Sequence, residues 1–142
     1  DVGSVLDRVV TYMEHRSPRT VRFVRKYETD TVKARLSASL FEWVIENLCK
    51  NAIDAMEGKG TITINLYSDW DMVYIEVSDT GKGISKNSFK RVFQPGFTTK
   101  KRGWGLGLSL AKRIVEEYHN GRIFVKSSEL GEGTTFRIEI KK

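Results

Sequence analysis

Apolar residues recur at helical spacing in three stretches of the chain. The first stretch covers positions 5–13 and ends before Ser17, where the apolar repeat stops. In the second, from about 38–57, an apolar residue returns every fourth position, and Gly58 is expected to close the helix. The third covers 108–118, with charged residues on its opposite side. The pattern therefore predicts three amphipathic helices.

Alternating apolar and polar residues predict strands elsewhere in the chain. Turn residues at 68–71 and at 131–133 join four of these strands into two hairpins. Each strand has one apolar face, so the predicted fold is an α+β two-layer sandwich with a mixed, mostly antiparallel sheet. All three helices should cover one face, and the other face should be wet. The predicted strands are 21–27, 62–66, 73–77, 123–125 and 136–140.

Length and composition fit one globular domain over residues 1–142. Apolar residues make up 39% of the chain, and no apolar run approaches the roughly 20 residues of a membrane-spanning helix. The single cysteine, Cys49, lies in a helical apolar pattern, which favours a reduced, cytoplasmic setting. The net charge of +6 is spread along the chain, and no nucleic-acid partner is expected. We expect an excised domain of a longer parent, which could be anchored in the inner membrane.

Three polar residues of the second helix, Asn47, Asn51 and Asp54, lie within about 60° of one another on a helical wheel. They border the apolar stripe, where amides and carboxylates are costly unless they are paired. A cleft that holds a ligand or a metal would pair them. The alternative is an ordinary helix border with solvated side chains.

Two glycine-rich segments follow. The segment 79–84, Asp-Thr-Gly-Lys-Gly-Ile, comes directly after a predicted strand, so that its aspartate can accept a hydrogen bond from an exocyclic amine. The segment 103–108, Gly-Trp-Gly-Leu-Gly-Leu, opens the third helix, whose free backbone N–H groups suit phosphate oxygens. Each alone is also compatible with a plain turn or an ordinary helix start.

Five segments together resemble the conserved boxes of the catalytic domain of sensor histidine kinases. They occur in the family's order and cover nearly the whole chain. The fold is shared with heat-shock chaperone ATPases, mismatch-repair ATPases and type II topoisomerases. The segments are 46–55, 79–84, 93–97, 103–108 and 133–136.

The resemblance implies a site for ATP and Mg²⁺. Asn51 would ligate the Mg²⁺ that bridges the phosphates, Asn47 would support the phosphates, and Asp79 would bind the adenine amino group. The segment 93–102 would be a mobile ATP lid, and Asn47, Asn51 and Lys100 would be the catalytic residues. Further nucleotide contacts are implied for Asp54, Gly81, Gly83, Ile84, Phe93, Thr98, Thr99, Lys100, Lys101, Arg102, Gly103, Gly105, Leu106, Gly107, Leu108 and, through water, Thr135.

The residue at position 47 separates the branches of this superfamily. Hydrolytic members carry a glutamate there as general base, whereas this chain has an amide, which cannot deprotonate water. That favours phosphoryl transfer to a nucleophile. Asp54 replaces a lysine that many membrane sensor kinases carry, so another basic residue would have to supply the phosphate contact of that lysine.

In the family the nucleophile is a histidine on a separate dimerisation hairpin. Neither His15 nor His119 has the sequence context of that histidine, and both are interpreted as structural or surface residues. The expected partners are therefore the parent's own dimerisation domain and a response regulator, with the domain alone a monomer. The alternatives are an ATPase or anti-sigma-type serine kinase of the same fold, or a partner-binding module that has lost its nucleotide.

Overall fold

The structure is a computed structural model that describes residues 1–28, 32–95 and 107–142. The helices are interspersed with single strands and antiparallel strand pairs, as in an α+β fold. Two short 3₁₀ turns, Lys86–Ser88 and Arg91–Phe93, precede the last helix, which continues as a π-helical turn over Ile114–Tyr118. The elements are α1 (Val2–Arg16), β1 (Val21–Tyr27), α2 (Ala38–Ala55), β2 (Gly60–Ser68), β3 (Met72–Ser78), α3 (Gly107–Arg113), β4 (Arg122–Glu129) and β5 (Gly133–Lys141).

The five strands form one mixed sheet in the order β1-β2-β3-β5-β4. The β1–β2 pair is parallel, and the other three pairs are antiparallel. The predicted mixed, mostly antiparallel sheet is therefore confirmed. Because β3 and β5 run antiparallel, the end of β3 at Ser78 lies beside the start of β5 at Gly133.

The core lies between the sheet and the helices. The alternating apolar residues of the strands are buried, as is the inner stripe of α1 and α2. The predicted two-layer arrangement, with the helices on one face, is confirmed. Cys49 is fully buried, and burial raises the pKa of its thiol to about 12, which makes it a packing residue. In the part of the chain that the structure describes, no helix is long and apolar enough to cross a membrane.

The end of α2 differs from the prediction. The helix stops at Ala55, two residues earlier than expected, and Gly58 is not its cap residue. Glu57 adopts the left-handed conformation with φ of 54°, and the Gly58 N–H donates to the carbonyl of Ile53 at 3.0 Å. With the bond from the Glu57 N–H to the Asp54 carbonyl, this is a Schellman ending shifted by one residue.

The third helix also departs from the prediction at its end. Helical spacing places Tyr118 on the apolar face, but it is exposed, and His119 is buried instead. The cause is the π-helical turn, which adds a residue to the last turn and rotates the following positions. The outward pair of Arg113 and Glu117 is present, with Nε and Oε2 2.7 Å apart.

The outer face of the sheet is polar, but it is less wet than predicted. Glu76 is only 6% exposed, and the Tyr67 hydroxyl and the Lys126 ammonium compensate its burial by donating to its Oε2 at 2.6 and 2.9 Å. Tyr67 stacks on Tyr74, and the Arg137 guanidinium lies 4.4 Å from the Tyr74 ring centre. The side chains of this outer face are therefore arranged around the buried carboxylate of Glu76.

Although burial opposes ionisation of Glu76, its hydrogen bonds and the nearby Lys126 and Arg137 charges hold its pKa below the ordinary value. A lowered folded-state pKa contributes stability above the unfolded pKa, about 4.3, and that stability is lost as pH falls through the folded value. Glu76→Gln should therefore lose less free energy of unfolding than wild type between pH 7 and pH 3 in urea titrations. Tyr67→Phe, which removes one donor, should fall between them. Equal losses in all three proteins would contradict this account.

Candidate functional site

The polar residues of α2 lie along its second half. Asn47 and Asn51 are half-buried, and Asp54 is exposed. The Asn47 side-chain amide donates to the Trp43 carbonyl at 3.1 Å, which fixes the orientation of the side chain. A Cβ added to Gly107 would lie 2.8 Å from the Asn47 Oδ1, so this oxygen faces the first residue of α3. The structure thus brings Asn47 and Gly107 together.

Asp79 lies where β3 ends beside β5. Its Oδ1 accepts hydrogen bonds from the Gly81 N–H at 2.8 Å and the Thr134 N–H at 3.3 Å. Its own N–H donates to the Thr134 carbonyl at 2.9 Å. Burial raises the pKa of the carboxyl above its ordinary value, and the two backbone hydrogen bonds partly offset that shift. Both of these backbone donors hold Oδ1, so Oδ2 is the oxygen that can be offered to a ligand.

The turn after Asp79 is held between α2 and the β4–β5 hairpin. The Lys82 N–H donates to the Ala55 carbonyl at 3.0 Å, and a Cβ on Gly81 would approach that same oxygen to 2.6 Å. A Cβ on Gly83 would lie 2.3 Å from the Glu129 carbonyl oxygen. These glycines are therefore required for the protein's own packing, which holds Asp79 near the C-terminal end of α2.

A hydroxyl pair that the sequence analysis missed completes this region. Ser128 Oγ accepts from the Ile84 N–H at 2.7 Å and donates to the Gly133 carbonyl at 3.0 Å. It also lies 2.8 Å from Thr134 Oγ1. Since Ser128 has one hydroxyl hydrogen, Thr134 donates in the last bond when Ser128 serves Gly133. The alternation of β5 could have identified Thr134, because it shares the parity of the buried Phe136.

The Thr135 side chain, which the resemblance places on the adenine side, points to the opposite face of the sheet from the Thr134 side chain. Its Oγ1 lies 2.8 Å from Ser78 Oγ, its partner across the β3–β5 ladder. Successive side chains of a strand point to opposite faces. Thr134 is buried on the helix side of the sheet, and Thr135 therefore lies on the outer face.

Phe93 is part of the core. It is 7% exposed, and its ring meets Phe136 edge-on with 6.0 Å between centroids. Lys112 lies 5.8 Å from the centre of the Phe93 ring. The start of the predicted lid is thus anchored by packing.

Of the remaining predicted nucleotide contacts, Leu108 is described by the structure, and the others lie outside the described residues. Leu108 is half-buried and packs on the core. No group of three or more His, Cys, Asp or Glu side chains suited to a metal occurs among residues 1–28, 32–95 and 107–142. The predicted residues that lie outside the described residues are Thr98, Thr99, Lys100, Lys101, Arg102, Gly103, Gly105 and Leu106.

Comparison with known proteins identifies the family. The model of the family described as "Histidine kinase-, DNA gyrase B-, and HSP90-like ATPase" matches residues 37–142. Since this range is well over half of the chain, the chain belongs to that family.

Curated relatives within the family are sensor kinases. Sporulation kinase A of Bacillus subtilis is 36% identical over 143 residues, which cover 100% of this chain and 23% of that protein. Sensor histidine kinase ZraS of Salmonella typhi is 47% identical over 96 residues, or 67% of this chain and 20% of that protein. The chain thus spans about a fifth of the length of these relatives.

Solved structures show the same fold. The catalytic domain of histidine kinase ThkA in a nucleotide-free form aligns with a TM-score of 0.88 at 28% identity, covering 99% of this chain and 91% of that one. ThkA in complex with the response regulator protein TrrA aligns with a TM-score of 0.87 at 26% identity, covering 100% of this chain and 40% of that one. The predicted fold, that of a histidine kinase catalytic domain, is confirmed.

Two glycines offer a matched test of the packing around Asp79. Gly83 and Gly131 both have φ of +80°, but an added Cβ meets nothing within 4 Å at Gly131. Gly131→Ala should cost about 1 kcal/mol of unfolding free energy, the strain of a left-handed alanine. Gly83→Ala should cost about 1–3 kcal/mol more because of the clash with Glu129. Chemical denaturation measures both, and equal costs would contradict the tight packing described here.

Proposed function

We propose that this chain is the ATP-binding catalytic domain of a sensor histidine kinase. It transfers the γ-phosphoryl group of Mg-ATP to a histidine on a separate dimerisation hairpin. The observation that carries the proposal is the Asp79 carboxylate, which two backbone N–H groups hold beside the C-terminal end of α2, the helix that bears Asn47 and Asn51. Family membership and the sensor kinases among the relatives support the assignment.

Adenine recognition is assigned to Asp79 and its neighbours. The exocyclic amine of adenine is a donor, and a carboxylate oxygen fixed in a partly buried position is the matching acceptor. Gly81, Gly83 and Ile84 shape the wall around it. Thr134, whose hydroxyl is hydrogen-bonded to Ser128, is assigned the adenine-side contact that the resemblance implies for Thr135.

Phosphate binding is assigned to the part of the site that contains the side-chain amides of Asn47 and Asn51. Asn51, with Asn47 nearby on the same helix, offers amide oxygens, which suit a Mg²⁺ that takes its other ligands from phosphates and water. Such a site needs no dedicated group of carboxylates. When bound, the ion neutralises charge on the phosphoryl group. Asn47 holds the phosphates, and its Oδ1 faces Gly107 at the start of α3.

Transfer is favoured over hydrolysis because of the residue at position 47, where hydrolytic members of the superfamily carry a glutamate as general base. Position 47 carries an amide. The neighbouring Glu46 points elsewhere and lies 3.6 Å from Lys50 on the outward face of α2. Neither side chain is placed to deprotonate an attacking water.

The acceptor histidine is assigned to a partner segment. His15 is exposed on α1, and His119 is buried with both ring nitrogens in hydrogen bonds. Neither is a candidate nucleophile. ThkA, which has the same fold, has been solved in complex with a response regulator, and we assign a response regulator as the protein that receives the phosphoryl group next.

Asp79→Asn tests the adenine site with little change in shape. The asparagine oxygen can keep the hydrogen bonds from Gly81 and Thr134, and its amide group then replaces Oδ2. That places a donor against the adenine amine, so affinity for Mg-ATP should fall by about 100-fold or more. Calorimetric titration of ATP with Mg²⁺ measures it. Unchanged affinity in the variant, or no binding by the wild type, would overturn the proposal.

The two threonines of β5 give a second test. Thr134→Val removes a hydroxyl on the side of Asp79 and should weaken ATP binding by about 10-fold, the value of one hydrogen bond. Thr135→Val removes the neighbouring hydroxyl from the outer face and should leave the affinity within about 2-fold. The same titration reads both variants, with thermal unfolding as the folding control. The reverse order of effects would restore the original assignment of Thr135.

A further inference from the structure

His119 is a buried polar residue, and the mechanism above does not use it. It is 7% exposed and lies directly after the π-helical turn that ends the third helix. Its ring meets the Phe41 ring of α2 edge-on, with 5.6 Å between centroids. A histidine in this position contacts both helices that border the candidate site.

Both ring nitrogens of His119 are engaged. The Ser37 N–H donates to Nε2 at 3.1 Å, and Nδ1 lies 3.1 Å from the Ile114 carbonyl oxygen. A carbonyl only accepts, so the hydrogen-bond network assigns the ring hydrogen to Nδ1 and the lone pair to Nε2. His119 thus links the end of one helix to the beginning of another.

The bond to Ser37 satisfies a backbone donor at the start of α2. Ser37 is the N-cap residue of α2, but its side chain makes no cap hydrogen bond. Its backbone N–H is one of the donors at a helix start that find no partner within the helix. The histidine ring satisfies this donor from a residue 82 positions away.

The two helices touch at a second place. Asn47 faces Gly107, the first residue of α3, whereas Ser37 meets His119 at the other end of the same pair. Ser37 and Asn47 are ten positions apart, about 15 Å along the helix. Gly107 and His119 are twelve positions apart, which would be about 18 Å in a regular α-helix. The wider π-helical turn shortens this span, so that both ends can meet α2.

We propose that His119 is a positioning residue for the nucleotide site. By fixing the end of the third helix to the start of α2, it sets the register between the helices and thereby the approach of Gly107 to Asn47. The inference rests on the proposed function, because it assumes that Asn47 holds the phosphates. It assigns His119 a role that does not require contact with the nucleotide.

The test uses three substitutions of His119. His119→Gln keeps an acceptor that can reach Ser37, whereas His119→Asn and His119→Ala do not. We expect affinity for Mg-ATP to fall by about 10-fold in the Ala and Asn variants and to stay near wild type in the Gln variant. Calorimetric titration gives the affinities below the unfolding temperature of every variant.

Ser37→Pro is the matched change on the other side of the bond. Its φ of −82° is compatible with proline, and the substitution removes the backbone donor to His119. The proline variant should lose affinity as His119→Ala does, and the double variant should be no weaker than either single one. Additive losses would contradict a shared mechanism.

Leu66→Ala controls for stability, because Leu66 is a buried core residue on the α1 side of the sheet. This variant should keep wild-type affinity although it is less stable. In the nucleotide-free protein, His119→Ala should shift the NMR signals of the Gly107 backbone amide and the Asn47 side-chain amide, and Leu66→Ala should not. Wild-type affinity with unshifted signals in His119→Ala would overturn the proposal. Failure of the wild type to bind ATP would instead overturn the proposed function, and the NMR signals would still decide the role of His119.

Discussion

The close approach of backbone to backbone around Asp79 is the constraint on which the candidate site depends. The turn that follows this residue lies against the Ala55 carbonyl on one side and the Glu129 carbonyl on the other. A Cβ on Gly133 would come within 2.0 Å of the Asp79 carbonyl oxygen, so the start of β5 is pressed against the same turn. Only glycine fits such contacts. The glycines therefore determine where the carboxylate stands relative to α2.

This packing explains how a partly buried carboxylate is kept in place. Two backbone N–H groups hold one of its oxygens, and this compensates part of the cost of burial. The hydroxyls of Ser128 and Thr134 connect the same turn to the β4–β5 hairpin. The proposed adenine contact of Asp79 and the packing of the turn against α2 thus depend on the same few contacts.

Much of the fold could be predicted from the sequence, because the periodicity of buried residues is a direct consequence of helix and strand geometry. β1 covers 21–27 as predicted, and the two hairpins form where turn residues indicated. The predictions differ from the structure at the ends of helices and in the face of an element on which a residue lies. The left-handed residue that ends α2 is Glu57 rather than Gly58 alone. The π-helical turn leaves Tyr118 exposed and His119 buried. Strand alternation puts the Thr135 side chain on the outer face, where it contacts Ser78. A repeat of 3.6 residues cannot anticipate a π turn, whereas strict use of strand parity could have found Thr134.

The central claim is that the site holds ATP for transfer rather than for hydrolysis. The most direct measurement supplies Mg-ATP to the domain with and without a histidine-bearing dimerisation hairpin, and follows phosphohistidine and free phosphate together. The account predicts phosphohistidine on the hairpin and little phosphate release in either case. Rapid phosphate release without the hairpin, and no phosphohistidine with it, would contradict the account and place the protein among the hydrolytic members of its family.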